Sequence, residues 1–300
     1  MTLHHLEVFI AVCQEKTMHA AAEKLNLSQP AISKIIADLE RYYQIKLFER
    51  INHRLYLTPI GETMRDHALH LLELFHHMED DINIQGQTNH IRIGASVSVG
   101  TCLLPPVIQR LQHHRLPIAY DVTVNNTSKI EQLINDYVLD LALVEGYIDN
   151  PNLVVRDITE DELVIAVSAS HPLAKKSDVT YHDLEQYSFI TREDGSSKRN
   201  QLERHLQKLG LKLQTNYSCS SVEAIKQALL YTDSIAALSR MIIAEEIKKG
   251  VLTILPIDNI QIKRWIRLIY HKNKYISPAM NAFIEVLNEH IEDCANDPTA

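Results

Sequence analysis

Ala21-Ala22-Glu23-Lys24-Leu25-Asn26-Leu27-Ser28-Gln29-Pro30-Ala31-Ile32-Ser33 holds two helix signals on either side of a tight turn. The first helix, Met18 to Leu25, is rich in alanine, whose small side chain lets another helix approach closely. Asn26-Leu27 is the turn. Ser28 suits the N-cap of the next helix, and Pro30 is tolerated in its first turn. Ile32, Ile35, Ile36 and Leu39 give that helix a buried stripe, leaving Gln29, Ser33, Lys34 and Ala37 outward. Upstream, Leu3, Leu6, Phe9, Ile10 and Cys13 repeat at helical spacing over residues 3–15. Helix, short turn and helix with a polar tip form a helix-turn-helix whose second helix can enter the major groove. There Gln29 can hydrogen-bond a base edge, and Ser33 can reach a base or a phosphate.

Leu47-Phe48-Glu49-Arg50 and Arg54-Leu55-Tyr56-Leu57-Thr58 flank Ile51-Asn52-His53 and read as a β-hairpin, the wing of a winged helix-turn-helix. Arg50 and Arg54 flank its tip, spaced to grip phosphates or a minor groove. As ordinary strand-end charges they would do nothing, but a hairpin directly behind a helix-turn-helix favours the nucleic-acid role. Thr58 can cap a further helix and Pro59 suits its first position. Ile60, Met64, His67, Leu71, Leu74, Met78 and Ile82 follow a 4-3 spacing for about three heptads, the pattern of a coiled-coil seam. A helix packed only on its own domain is the alternative. Gln85 to Asn89 is a short polar hinge.

The whole chain has 300 residues and a formal charge of -8, which taken alone argues against a nucleic-acid partner. By region the picture differs. Residues 1–60 hold seven Lys/Arg against six Asp/Glu, residues 61–90 one against six, and the remainder 22 against 26. Lys34, Arg41, Lys46, Arg50 and Arg54 recur through the slightly basic segment, and a local basic stripe matters more for phosphate binding than overall charge. The composition, 45% hydrophobic and 23% charged, excludes bulk disorder. No apolar run reaches the roughly 18 residues of a membrane span, so no membrane partner is expected. The start of the chain lacks the cationic and apolar features of a signal peptide, which predicts a cytoplasmic protein. Cys13, Cys102, Cys219 and Cys294 lie far apart and read as reduced thiols rather than a disulfide framework or zinc site.

From His90 the pattern alternates strand and helix, predicting a parallel sheet covered on both faces. Strands are expected at 91–94, 119–124, 139–144, 163–168, 188–191, 213–218 and 234–238. Helices are expected near 102–113, 128–137, 197–209, 221–231 and 240–249. In such sheets small ligands bind where strands end and helices begin. Those turns carry Ser96, Ser98, Thr101, Asn126, Thr127, Glu145, Thr191, Ser196 and Arg199, the candidate effector set. Hydroxyls and cations there suit a small anion or carboxylate, although each serine alone is better read as a helix cap. Sixteen histidines invite a metal reading, yet the pairs His4-His5, His76-His77 and His113-His114 point different ways on a helix. No HExxH, CxxC, GxSxG or GxxxxGK motif occurs, so neither a metal, a cofactor nor an enzymatic activity is expected.

Ala21 to Leu25, Leu27 to Ser33, Leu39-Glu40, Leu47 to Arg50 and Leu57-Thr58-Pro59-Ile60-Gly61 together resemble the signature of LysR-type transcriptional regulators. The likeness is continuous through about sixty residues and weaker beyond. It implies an N-terminal all-α winged helix-turn-helix (1–58), a dimerising linker helix and hinge (59–89), and an α/β two-lobed, periplasmic-binding-protein-like effector domain (90–300). Lobe I would comprise 91–161 plus 266–300, and lobe II 162–265. The implied partners are double-stranded DNA with a partly palindromic operator, a small-molecule effector, and the chain itself as homodimer or homotetramer. The DNA-contacting candidates are Thr17, His19, Ser28, Gln29, Pro30, Ser33, Lys34, Arg50 and Arg54. His19 departs from the small hydroxyl residue usual in the family. Thr191 to Arg199 resembles an Arg-x-x-Gly-Ser-x-x-Arg pattern in some members that sense small anions, and Tyr231-Thr232-Asp233 replaces the usual glycine-rich stretch. A transport-type small-molecule binding protein without a DNA role would fit residues 91–300 equally well, but residues 1–60 oppose it. An α/β enzyme would need a catalytic constellation, and none presents itself.

Overall fold

The computed structural model describes residues 1–52, 54–82, 89–193, 197–208, 214–257 and 262–296. They divide into two compact units, Met1–Gln87 with Asn273–Tyr275, and Thr88–Lys272 with Ile276–Ala300.

In the N-terminal unit, α1 (Leu3–Glu15), α2 (Met18–Leu25) and α3 (Gln29–Tyr43) begin on the side-chain caps Thr2, Thr17 and Ser28. Each ends on a left-handed residue, Lys16, Asn26 and Gln44, with φ of 58°, 54° and 55°. Lysine and glutamine adopt this region against a steric cost, which asparagine meets more readily. Leu6, Phe9, Ala21, Ala22, Ile32, Ile36 and Leu39 interlock in one core. The strands β1 (Phe48–Ile51) and β2 (Arg54–Leu57) pair antiparallel, Ile51 opposite Arg54. Leu55 N donates to Lys16 O at 2.9 Å, tying the hairpin to the α1–α2 turn. Thr58 then starts α4 (Pro59–Ile82). Its Oγ1 accepts from Gly61 N at 3.1 Å and donates to Lys46 O at 2.7 Å. Ala68 and Leu72 of α4 join the core, whereas Ile60, Leu71, Leu74, Met78 and Ile82 on another side are exposed.

The C-terminal unit starts with β3 (Asn89–Ser96), α5 (Val97–Cys102), α6 (Leu104–Gln112), β4 (Ile118–Asn125), α7 (Thr127–Asn135) and β5 (Leu141–Glu145). The 16-residue β6 (Leu153–Ser168) leads into α8 (Tyr181–Leu184), β7 (Phe189–Arg192), α9 (Ser197–Lys208), β8 (Thr215–Cys219), α10 (Val222–Tyr231) and β9 (Ile235–Ser239). After α11 (Ala244–Lys248) and β10 (Leu252–Ile254), β11 (Ile262–His271) returns and α12 (Pro278–Asn296) closes the described chain. Among the described residues the strands form one sheet in the order β4-β3-β5-β11-β6-β9-β7-β8, with β10 beside β6.

The expected all-parallel sheet is corrected. Pairing is parallel in the flanks, β4-β3-β5 and β9-β7-β8, but β11 and β6 are antiparallel to their neighbours and to each other. Two long strands therefore bridge two α/β halves. Residues 163–166 of β6 pair with β9, and residues 266–269 of β11 pair with β5. One pair of apolar clusters gathers residues 91–153 with 266–287, and another gathers residues 163–255. The helix expected near 102–113 is α6, with Pro105 in its first turn, and the short α5 precedes it, separated by Leu103. Residues 240–249 form a 3₁₀ turn, Arg240–Ile243, followed by α11. The strand expected from 213 begins at Thr215, and residues 209–213 lie outside the described set.

Candidate functional sites

On α3, the stripe Ile32, Ile36 and Leu39 is buried, while Ser28, Gln29, Pro30 and Lys34 are exposed and Ser33 is half-buried. Ser28 Oγ accepts from Ala31 N at 3.4 Å and Thr17 Oγ1 from Ala20 N at 3.1 Å, so both caps are formed, Ser28 on an exposed residue and Thr17 on a half-buried one. His19 is exposed, its Nε2 3.5 Å from Glu23 Oε1.

The cations sort into two groups. Lys24 meets Glu15, Arg41 meets Asp38 and Lys46 meets Glu40, at 2.8, 2.7 and 2.8 Å. Lys34, Arg50 and Arg54 are exposed and have no carboxylate partner among the described residues. A cation already neutralised by its own chain offers less to a phosphate, so the basic stripe read from sequence reduces to these three. A fourth belongs with them. Lys16, missed in the sequence reading, is exposed at the left-handed end of α1, beside Thr17 and the hairpin, and is likewise unpaired among the described residues. Its signal was positional, a lysine directly before the N-cap of α2. His53 at the hairpin tip lies outside the described residues.

In the C-terminal unit the structure brings four of the nine effector candidates together. Ser96, at the end of β3, and Ser98, in α5, both direct their hydroxyls to the Glu145 carboxylate at the end of β5. Ser96 Oγ donates to Oε2, and Ser98 Oγ donates to Oε1 at 3.0 Å. Thr127 Oγ1 donates to Glu145 O at 3.3 Å. The remaining candidates stand apart. Thr101 Oγ1 bonds back to Val97 O within its own helix at 2.7 Å, and Asn126 caps α7 through Lys129 N at 2.9 Å. Arg199 Nε meets Glu203 at 2.9 Å. Thr191 is buried, and its Oγ1 has no hydrogen-bond partner among the described residues. Ser196 lies outside the described residues.

Three further residues complete the cluster and were not singled out from sequence. Arg264 of β11 donates through Nε to Asp161 Oδ2 of β6 at 2.9 Å, and Ser239, ending β9, donates to Asp161 Oδ1 at 2.9 Å. Arg264 Nη1 lies 3.7 Å from Glu145 Oε1 and makes no hydrogen bond among the described residues. Ser96, Ser98, Glu145, Asp161, Ser239 and Arg264 are all at most 5% exposed. The cluster thus spans both halves of the sheet and both bridging strands. Its formal charges are two carboxylates and one guanidinium, an electronegative balance rather than the cationic cradle expected. Burial makes every unpaired polar group in it costly.

Among the described residues no helix is long and apolar enough to cross a membrane, and no group of three His, Cys, Asp or Glu side chains could hold a metal ion. The model of the bacterial regulatory helix-turn-helix protein, lysR family, matches residues 3–62, and that of the LysR substrate binding domain matches residues 85–292. The HTH-type transcriptional regulator CysL of Bacillus subtilis is 29% identical over 96% of this chain and 97% of its own. Among solved structures, full-length OxyR from Pseudomonas aeruginosa superposes with a TM-score of 0.70 at 21% identity, over 97% of this chain and 95% of that one. The Synechocystis CcmR regulatory domain, solved in complex with 2-PG, gives 0.64 at 24% identity over 68% of this chain and 98% of that domain.

Proposed function

Because this chain belongs to the LysR family of DNA-binding transcriptional regulators with an effector-binding domain, we propose that α3 and the β1–β2 hairpin read a partly palindromic operator in double-stranded DNA, and that a small anionic or carboxylate effector in the C-terminal unit modulates the binding. The observation that carries the DNA half is the sorting of cations. Those flanking the exposed face of α3 and the hairpin lack acid partners, while neighbouring cations are paired. Gln29 reads a base edge, Ser33 a base or phosphate, and Thr17, His19, Ser28, Pro30, Lys34, Arg50 and Arg54 lie against the backbone.

The functional division follows 1–58, 59–89 and 90–300, with lobes 91–161 plus 266–300 and 162–265. The separate apolar clusters of the two sheet halves support the division into lobes. The exposed stripe Ile60, Leu71, Leu74, Met78 and Ile82 supports a homodimer through α4, from which a tetramer can be built. Two copies would place their recognition helices on successive major-groove faces. Ser96, Ser98, Thr127 and Glu145 form the lobe I side of the effector site, and Thr191, with its unpartnered buried hydroxyl, belongs to the lobe II side. CcmR was solved with 2-PG, and a small-molecule effector is proposed to bind at the corresponding domain here. Such a regulator works in the cytoplasm and catalyses nothing.

The test uses fluorescence anisotropy with operator and random duplexes across a salt series. Gln29→Ala should weaken operator binding by about 1–3 kcal/mol and leave random DNA nearly unchanged. Arg50→Ala and Arg54→Ala should weaken both and flatten the salt dependence by roughly 0.9 per lost phosphate contact. Equal losses on both duplexes for Gln29→Ala would remove its base-reading role. An unchanged slope for the arginines would make them surface charges.

A further inference from the structure

The hydroxyls that an anionic effector would use are already engaged, and by a carboxylate of the chain itself. Ser96 occupies the N-cap position of α5, yet its side chain makes no cap hydrogen bond and instead donates to Glu145 Oε2. Ser98 donates to the other oxygen at 3.0 Å. A serine at an N-cap ordinarily accepts from the first-turn amides, so its turn toward Glu145 marks a site shaped for one oxyanion. A third donor stands beside it. Arg264 Nη1, on a side chain only 2% exposed, lies 3.7 Å from Glu145 Oε1 and has no hydrogen bond among the described residues. The rest of that guanidinium is held by Asp161.

We infer that Glu145 is an internal competitor for the effector's anionic group: it occupies the Ser96–Ser98 hydroxyl pair in the unliganded protein, and the effector binds by displacing it toward Arg264. The inference rests on the reading of the C-terminal unit as an effector-binding domain and specifies how that site is regulated. Two carboxylates cannot share the pair, because like charges at contact distance each disfavour the other. The displaced Glu145 has a destination. Closing 3.7 Å to a hydrogen bond would satisfy Nη1, and both carboxylates would then have donors. Glu145 ends β5 and lies opposite Ile266 of β11, two residues from Arg264. Exchange would therefore tighten β5 onto the bridging strand that runs to the other half of the sheet. Binding and a change in the lobe junction become one event, the differential interaction that a ligand-driven shift requires.

The experiment titrates the full-length protein with acetate, the smallest carboxylate, at constant ionic strength, with acetamide as the neutral isostere. Trp265, the only tryptophan in the chain, sits next to Arg264 and serves as the fluorescent reporter, with calorimetry alongside. Glu145→Gln keeps the side-chain shape and removes the charge, and should bind acetate at least tenfold more tightly than the wild type while acetamide shows no such gain. Glu145→Asp, which withdraws the carboxylate by one methylene, should shift affinity the same way by less, and serves if the glutamine variant folds poorly. Ser98→Ala introduced into Glu145→Gln should abolish most of the gain. Acetate affinity that is unchanged or weaker in both Glu145 variants overturns the inference. If the wild type binds acetate through Ser98 and the Glu145 variants bind no tighter, the anionic-effector reading stands and the competitor falls. If only the variants bind, the competitor stands and acetate-like anions are not effectors of the wild type. Silence in all proteins overturns both.

Discussion

Gly61→Ala should destabilise the N-terminal unit by about 1–3 kcal/mol, even though alanine is the better helix former. Gly61 lies in the first turn of α4, and a Cβ built there would sit 2.3 Å from Leu47 O and 3.0 Å from Leu57 Cδ2. The first contact is roughly an ångström inside van der Waals range, and its partner is backbone, which cannot rotate away. That carbonyl also accepts from Thr58 N at 3.0 Å, so moving it strains or breaks the bond that joins the α3–β1 connection to the start of α4. Against these costs stands the helix propensity of alanine over glycine, about 1 kcal/mol in a helix interior and less at a third position. Overpacking of about 1–3 kcal/mol and a hydrogen bond of about 1 kcal/mol outweigh it. Urea unfolding is followed by far-ultraviolet ellipticity, to which the helices of both units contribute, and by Trp265 fluorescence, which reports the C-terminal unit and serves as the internal control. The ellipticity midpoint should fall and the tryptophan midpoint should hold. Because Leu47 directly precedes β1, the hairpin carrying Arg50 and Arg54 should shift too, lowering affinity for DNA. Equal or greater stability of Gly61→Ala would show that the Leu47 carbonyl yields freely and would refute the rigid junction.

Leu74→Glu or Met78→Glu places a charge in the exposed apolar stripe of α4, and should raise the dimer dissociation constant tenfold or more in sedimentation equilibrium while leaving monomer helicity intact. A self-association constant unmoved by either change would put the interface elsewhere. The Cys13 thiol is pushed up to about 12 by burial, so almost none is thiolate at neutral pH, whereas Cys294 is exposed. Iodoacetamide followed by peptide mass mapping should therefore label Cys294 well ahead of Cys13 in the native protein, with the difference lost in urea. Comparable native rates would mean that α1 opens from its core.

The N-terminal unit was legible because its determinants are local. The caps Thr17, Ser28 and Thr58, the Asn26 turn and the period of Ile32, Ile36 and Leu39 all lie within a few residues of what they specify. Half of β6 and all of β11 were not legible, for the opposite reason. Arg156, Asp157, Glu160, Asp161 and Glu162 read locally as a polar loop, and the strand they form is matched by cations far along the chain. Asp157 meets Arg267 at 2.6 Å, Glu160 meets Lys263 at 3.5 Å and Asp161 meets Arg264, with about a hundred residues between partners. Cross-strand pairs of this kind stabilise a sheet without any period in either strand. The same distance hid half of the candidate site. Ser96, Ser98 and Glu145 stood at recognisable strand ends, whereas Asp161, Ser239 and Arg264 acquire meaning only through one another.

Pairing, more than net charge, decides which cations a phosphate can use. In the C-terminal unit five arginines in or near the sheet are coupled to carboxylates, Arg92 to Asp140, Arg192 to Glu193, Arg199 to Glu203, Arg264 to Asp161 and Arg267 to Asp157, while Arg156 meets the Asn288 amide oxygen. In the N-terminal unit Lys16, Lys34, Arg50 and Arg54 have no such partner among the described residues. A guanidinium already facing a carboxylate releases little on meeting a phosphate, because its field is neutralised in the free protein. The charge of -8 is therefore compatible with DNA binding: only unpaired cations displace counterions, at about 0.9 in the salt slope for each phosphate contact. Four per protomer, eight in the dimer proposed above, set a ceiling of roughly 7 on that slope for the operator complex. A markedly steeper slope would require the Lys24, Arg41 and Lys46 pairs to open on the duplex, and removing Asp38 or Glu40 would then raise the affinity.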